Sequence, residues 1–225
     1  MVKRLLAVLG VLTVVVSLAA PAFAVEGVSE RQARKRLEAQ KYPQQATEAL
    51  QNNNPDLAIE LFTKAIDSKA FNDQPQTIGE LYYGRGNAHR MKKDCAGAIV
   101  DYNKATETLN DGDLYFTRAA CYLELKEDDK ALADLDSAIK VDPDAVMYRN
   151  ARCILLFNRK DFAGALPDCE KALAATPDDK NLLTAISQAA EQTGNRPRAA
   201  EAYRKLLAVD PGNPTATEGL KRVGG

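Results

Sequence analysis

Apolar side chains recur at helical intervals along most of this chain, in blocks separated by short polar turns. One block carries Leu114, Tyr115, Ala119 and Tyr122 on a single stripe; after the polar "KEDD", the next carries Ala131, Leu135, Ala138 and Ile139. Two amphipathic helices joined by a tight turn are predicted there. The second helix has a small-large-small signature, Ala131/Leu135/Ala138, with copies at Ala58/Phe62/Ala65, Ala98/Tyr102/Ala105, Ala165/Cys169/Ala172 and Ala199/Tyr203/Leu206. From Ala98 through Ala131 and Ala165 to Ala199, the leading alanines keep an almost constant spacing. Such a period is the mark of an internal repeat. The interval from Ala58 to Ala98 is longer because it holds the additional segment "NDQPQT". The turns "NNNP", "KKD", "NRKD" and "QTGN" occupy the place of "KEDD" in the other copies. Pro143, Pro177 and Pro211 stand at one fixed offset from Ala131, Ala165 and Ala199, where a residue without an amide hydrogen stops the second helix. Gly86, Ala119 and Cys153 on first helices are expected to face Ala98, Ala131 and Ala165 on second helices, because only small side chains let two helix axes approach closely.

With these positions in hand, the chain resembles the tetratricopeptide repeat (TPR) family and its W-x2-L-G-x2-Y…A-x3-F…P pattern, over roughly Ala39 to Asn213. Tyr82 and Tyr115 occupy the tryptophan position, Gly86 the glycine and Tyr122 the tyrosine. The first copy departs from the pattern where Pro43 intrudes, and the fifth lacks the aromatic start. The resemblance implies an all-α fold: a right-handed α-solenoid of about five helix-turn-helix repeats with terminal capping helices. The implied array runs from 39 to 213, with repeats at 39–72, 79–111, 112–145, 146–179 and 180–213. An N-terminal helical cap or linker (25–38, with Ser29 as a helix N-cap) and a C-terminal capping helix and tail (214–225) would flank it. The resemblance also implies a concave groove lined by the first helix of each unit. It places Tyr83, Asn87 and Arg90 of the second repeat, and Phe116 and Leu123 of the third, at a partner-binding surface. From the fourth repeat come Asn150, Ile154 and Phe157. Tyr83, Phe116, Ile154 and Phe157 would form an apolar track for a peptide with spaced hydrophobic anchors; the other reading is that some of them pack between repeats. Some family members clamp a peptide carboxylate with Lys, Arg and Asn. This chain keeps Asn87 but has Tyr83, Thr117, Met147 and Ala151 at the other positions, so that mode is not expected.

The repeat changes the meaning of the stretch most like an active site, "GRGNAHRMKKDCAGAIVDYNKA". Its arginine and aspartate, Arg85 and Asp101, recur at the same separation as Arg118/Asp134 and Arg152/Asp168. Both charges disappear together in the first repeat (Gln45, Leu61) and the fifth (Ile186, Ala202). Charges that come and go jointly belong to neighbouring helices, and three copies suit a scaffold better than a catalytic pair. Structural ion pairs, partly buried, are expected. His89, the sole histidine, fills a tyrosine slot; no H-x3-H or C-x2-C spacing accompanies it. No nucleophile–base pair, glycine-rich phosphate loop or isolated carboxylate pair rises above the repeat. An enzyme is not expected, nor a cofactor or a metal.

Composition narrows the partners. The formal charge is −1, from 30 Lys+Arg against 31 Asp+Glu, and the basic run "RQARKR" is short and interleaved with polar residues. Nucleic acid is therefore not an expected partner. The stretch from Met1 to Ala24 combines Lys3 and Arg4, an apolar run from Leu5 to Ala20 and the ending Ala22-Phe23-Ala24. This is the layout of a secretory signal peptide (1–24), with a periplasmic or extracellular destination and no membrane span after cleavage; a retained anchor is the alternative. In an exported chain, four cysteines suggest disulfides. The repeat register pairs Cys153 with Cys169, at facing positions of one repeat, and Cys95 with Cys121, across adjacent repeats. Packed thiols acting as small hydrophobes are the other reading. The favoured function is a non-catalytic exported module that binds a partner protein or peptide, an envelope assembly factor being one form. The alternative is a structural scaffold that oligomerises through its repeat edges.

Overall fold

Each repeat turns on one residue in the left-handed region. Asn53, Lys93, Lys126, Lys160 and Gly194 have φ of 54, 61, 62, 63 and 78°, and all five occupy the same position of the repeat. The next residue's amide bonds back to the helix just ended. These bonds are Asn54 N to Ala49 O (2.8 Å), Asp94 N to His89 O (3.0 Å), Glu127 N to Tyr122 O (2.8 Å), Asp161 N to Leu156 O (2.9 Å) and Asn195 N to Ala190 O (2.8 Å). Asn54, Asp94, Asp161 and Asn195 then accept the amides of Leu57, Gly97, Gly164 and Arg198 on their side-chain oxygens. One residue thus closes a helix and its neighbour opens the next, satisfying end groups on both sides of the turn.

The computed structural model describes Arg34 and residues 37–224. The expected signal peptide, its cleavage site, the Ser29 cap and most of the 25–38 segment lie outside the described residues. The described chain divides into two compact units, with the boundary in the sequence between Leu109 and Asn110. The first contains α1 (Tyr42–Gln51), α2 (Pro55–Asp67), α3 (Pro75–Met91) and α4 (Cys95–Ala105). The second contains α5 (Gly112–Glu124), α6 (Asp128–Val141), α7 (Val146–Asn158) and α8 (Phe162–Ala175), followed by α9 (Lys180–Gln192), α10 (Arg196–Val209) and α11 (Pro214–Val223). No strand occurs among the described residues. Pro43 does not break α1; it sits in the first turn, where the missing amide hydrogen has no intrahelical acceptor anyway. Pro75, from the extra segment, opens α3 in the same way, and α3 is 17 residues long against 13 for α5.

Packing within a repeat rests on a small residue of the first helix set against a large one of the second, at constant register. The pairs are Ala46/Phe62, Gly86/Tyr102, Ala119/Leu135 and Ser187/Tyr203, all buried. The fit is close: a Cβ on Gly86 would lie 2.6 Å from the Tyr102 ring. The same contact recurs between one repeat and the next. A Cβ on Gly84 would fall 2.3 Å from Phe62, and one on Gly219 would fall 2.2 Å from Tyr203. α11 therefore covers the fifth repeat as α3 covers the first.

In the fourth repeat the small–large pair is replaced by Cys153 and Cys169, joined by a disulfide with a Cα–Cα distance of 5.1 Å. The second expected bridge, Cys95–Cys121, would join residues of two different units and stays an expectation. Neither cysteine stands at the small–large position: Cys95 is the first residue of α4, and Cys121 lies just beyond Ala119 and Ala120 on α5. Cys95 and Cys121 are both buried.

Candidate functional site

Arg85, Arg118 and Arg152 project from first helices onto carboxylates of the second helices. Arg85 donates through Nε and Nη2 to Asp101 at 2.8 and 2.7 Å. Arg118 does the same to Asp134 at 2.8 and 2.7 Å, and Arg152 to Asp168 at 2.6 and 3.1 Å. The three aspartates are 2 to 5% exposed. A two-pronged guanidinium–carboxylate fork suits such a site, since it satisfies both oxygens of an acid withdrawn from water. Burial works against the Arg118 charge, and the hydrogen bond and charge of Asp134 outweigh it, so its pKa is raised. The tyrosines at the tryptophan position lie against the same cations, Tyr82 at 5.5 Å from Arg85 and Tyr115 at 5.8 Å from Arg118.

Arg85 and Arg152 also reach the repeat before their own. Arg85 Nη1 donates to Thr63 Oγ1 at 3.0 Å, and Arg152 Nη1 to Asp136 at 2.5 Å. Thr63 and Asp136 hold one position of the repeat once the extra residues are counted, a signal present in the sequence but not read from it. Arg149 adds a second cation on Asp168, at 3.0 Å. The period gives no hint of it, because its counterparts in the second and third repeats are Tyr82 and Tyr115.

His89 lies at the end of α3, with Nδ1 2.8 Å from Asp94 Oδ2 and Nε2 3.9 Å from Asp101. Asp94 is the cap of α4, and the amide of Gly97, followed by His89, holds its carboxyl below the ordinary range. Arg85, His89, Asp94 and Asp101, which make this stretch look most like an active site, are thus occupied in capping and pairing. No group of three or more metal-ligating side chains occurs among the described residues.

The expected partner-facing residues fall into two sets, one in each unit. On α3, Tyr83 is half-buried with its ring 5.9 Å from Tyr102, and Asn87 accepts the Tyr102 hydroxyl at 2.9 Å. Arg90 is half-buried, with a buried Nε that has no hydrogen-bond partner. On α5, Phe116 packs 5.3 Å from Tyr148, and Leu123 is half-buried. On α7, Phe157 meets Phe162 edge-on at 5.5 Å. Three of the four residues in the expected apolar track therefore spend much of their surface on neighbouring rings. Ile154 differs: it is 43% exposed, as is Met147 at 44%. Between them on one face of α7 lies Asn150, whose Oδ1 is buried without a partner.

Comparison with known proteins gives consistent matches. A family model described as tetratricopeptide repeat matches residues 44–113 and 116–180, and a second of the same description matches 156–222. The chain is 27% identical over 158 residues to the Hsp70-Hsp90 organizing protein of Triticum aestivum, covering 61% of this chain and 27% of that protein. It is 30% identical over 139 residues to small glutamine-rich tetratricopeptide repeat-containing protein 2 of Saccharomyces cerevisiae, covering 61% and 30%. The chain spans under a third of the length of either relative. Among solved structures, YrrB, a TPR protein with an unusual peptide-binding site, superposes with a TM-score of 0.69 at 20% identity, covering 86% of this chain and 100% of YrrB. A tetratricopeptide repeat protein from Parabacteroides merdae superposes at 0.63 with 17% identity, covering 83% and 72%. At these identities the likeness is one of fold.

Proposed function

Because this chain belongs to the tetratricopeptide repeat family, matched over residues 44–113 and 116–222, we propose that it is an exported, non-catalytic module that holds a segment of a partner protein. The observation that carries this reading is the face of α7. Met147 and Ile154 stand exposed there, and Asn150 between them has a buried amide oxygen with no hydrogen bond. Met147 and Ile154 supply apolar contact for a segment laid along α7, and the Asn150 amide between them offers a polar group to its backbone.

The printed description of YrrB as having a peptide-binding site supports the same use of the fold. The absence of a cation at Tyr83, Thr117, Met147 and Ala151 argues that recognition here does not rest on a peptide's terminal carboxylate. For the compartment, support comes from the leader-like stretch Met1 to Ala24 and the Cys153–Cys169 bond, since structural disulfides persist in oxidising surroundings. Assembly of other envelope proteins is the role we favour within that class.

The test is capture of partners from the exporting cell with the wild-type chain and with a Met147→Asp/Ile154→Asp variant. Both positions are exposed, so the variant should fold normally. Loss of the same partner from the variant is expected. Unchanged capture would move the binding surface off α7, and capture of only the chain itself would favour the self-associating scaffold.

A further inference from the structure

Four of the five repeats fill the contact between their two helices with one large side chain: Phe62, Tyr102, Leu135 or Tyr203. The fourth repeat has none. Cys153 and Cys169 are each 0% exposed, and the bonded sulfurs are what fills the position. Reduced, two thiols cannot replace a leucine or a tyrosine, and they must also move apart from bonding distance. The helix opposite is weakened too: Pro167 lies inside α8, so the Ala163 carbonyl lacks its usual amide. What remains between α7 and α8 without the bond is the Phe157–Phe162 ring contact at 5.5 Å, small apolar contacts and charge. Arg152, next to Cys153, and Arg149 both hold Asp168, next to Cys169.

We infer that the Cys153–Cys169 bond is a redox latch on the fourth repeat. Oxidised, it fixes α7 against α8. Reduced, it leaves the pair tethered by the arginine–aspartate contacts and the Phe157–Phe162 rings but locally loosened at the empty position, while the other repeats keep their packing. The reductant is a dithiol: one of its thiolates attacks a cystine sulfur, the mixed disulfide is resolved by its second thiol, and the dithiol leaves as its own cyclic disulfide. Two electrons and two protons pass to the cysteines. Because both sulfurs are buried, the attack requires α7 and α8 to part first, so a folded molecule resists brief exposure to reductant. The latch concerns the helix that presents Asn150 and Ile154, yet it stands whether or not α7 is the binding face, because its readout is the fold itself.

The experiment is backbone amide exchange by mass spectrometry on the full chain, before and after equilibration with dithiothreitol, with alkylation to count thiols. A Cys153→Ala/Cys169→Leu variant, copying the third repeat, runs beside it. Once Cys153 and Cys169 are reduced, exchange across 146–175 is expected to quicken by about tenfold or more, with 42–105 unchanged. The variant, which retains Cys95 and Cys121, should show no quickening across 146–175 with dithiol. The inference is overturned if the unreduced protein already carries both thiols, if exchange across 146–175 is the same in both states, if all repeats loosen equally, or if the variant responds as the wild type does.

Discussion

Lys126 shows how far a single side chain can sit from its own preference. At φ 62° it is in the left-handed region, where a Cβ crowds the following carbonyl at a cost of about 1–2 kcal/mol. The turn demands it, because the Glu127 amide must reach back to Tyr122. In the fifth repeat Gly194 meets the same demand without a Cβ, at φ 78°. Lys126→Gly should therefore stabilise the protein, by about 0.5–1 kcal/mol after allowing for the greater freedom of glycine in the unfolded chain. Urea unfolding of the two proteins measures it, and an unchanged or lower midpoint would mean that the Lys126 side chain contributes more than its strain costs. "KEDD" is readable as a turn from its polarity alone. That its lysine is left-handed is not, since nothing about lysine announces it; only alignment with Gly194 and Asn53 does.

Helices were more legible than their joints, for a physical reason. A buried stripe imposes the same spacing on every copy, so Leu114, Ala131 and Leu135 could be placed without coordinates, and the Arg/Asp forks followed from charges lost in pairs. The Cys153–Cys169 bond was legible because it uses the small–large position of a single repeat. Contacts that depend on how one element ends were not, and α11 illustrates this. Its sequence suggests a cap, but the means of attachment shows only in three dimensions. Arg222 donates to both oxygens of Glu191 at 2.6 and 2.9 Å, and the Tyr203 hydroxyl donates to the same carboxylate at 2.6 Å. The Arg222 hydrogen bond, ahead of the smaller effect of Tyr203, holds the Glu191 carboxyl below its ordinary value. The Tyr203 phenol, buried and bonded to Glu191, is pushed up to about 12. A depressed acid stabilises the fold above its unfolded pKa and loses that contribution as pH falls through the folded one. A raised phenol stabilises below its unfolded pKa and loses its share as pH climbs toward the folded one. The attachment of α11 should thus be strongest between about pH 5 and pH 10. Glu191→Gln should lower the melting temperature near neutrality by about 2 °C, a modest figure because Arg222 is half exposed, and should flatten the fall toward pH 3 followed by circular dichroism. Parallel melting curves for the two proteins over pH 3–7 would remove Glu191 from this role.

Each repeat of this family is stabilised mainly by the neighbours it touches, so the fifth repeat needs something against its outer face. In the second unit that cover is α11, with Ala216 fully buried and Leu220 and Val223 packed against the cluster around Tyr203, Leu206 and Ile186. Remove it, and the ring of Tyr203 loses Gly219 while apolar surface of α9 and α10 meets water, a patch of the kind that drives association. A chain ending at Asn213 should consequently show a mass in light scattering that rises with concentration, and restoring residues 214–225 should abolish the contribution of that edge. If the shortened chain has the same concentration-independent mass as the full one, α11 is dispensable as a cover and the edge of the fifth repeat is soluble on its own. If the full chain also associates, and Lys221 and Arg222 substitutions leave that association unchanged, the contact lies elsewhere on the molecule and the scaffold reading gains ground over partner binding. The covering helix is therefore where the two readings separate most cleanly: association through the face of the fifth repeat requires α11 to leave it, whereas partner binding on α7 leaves α11 in place.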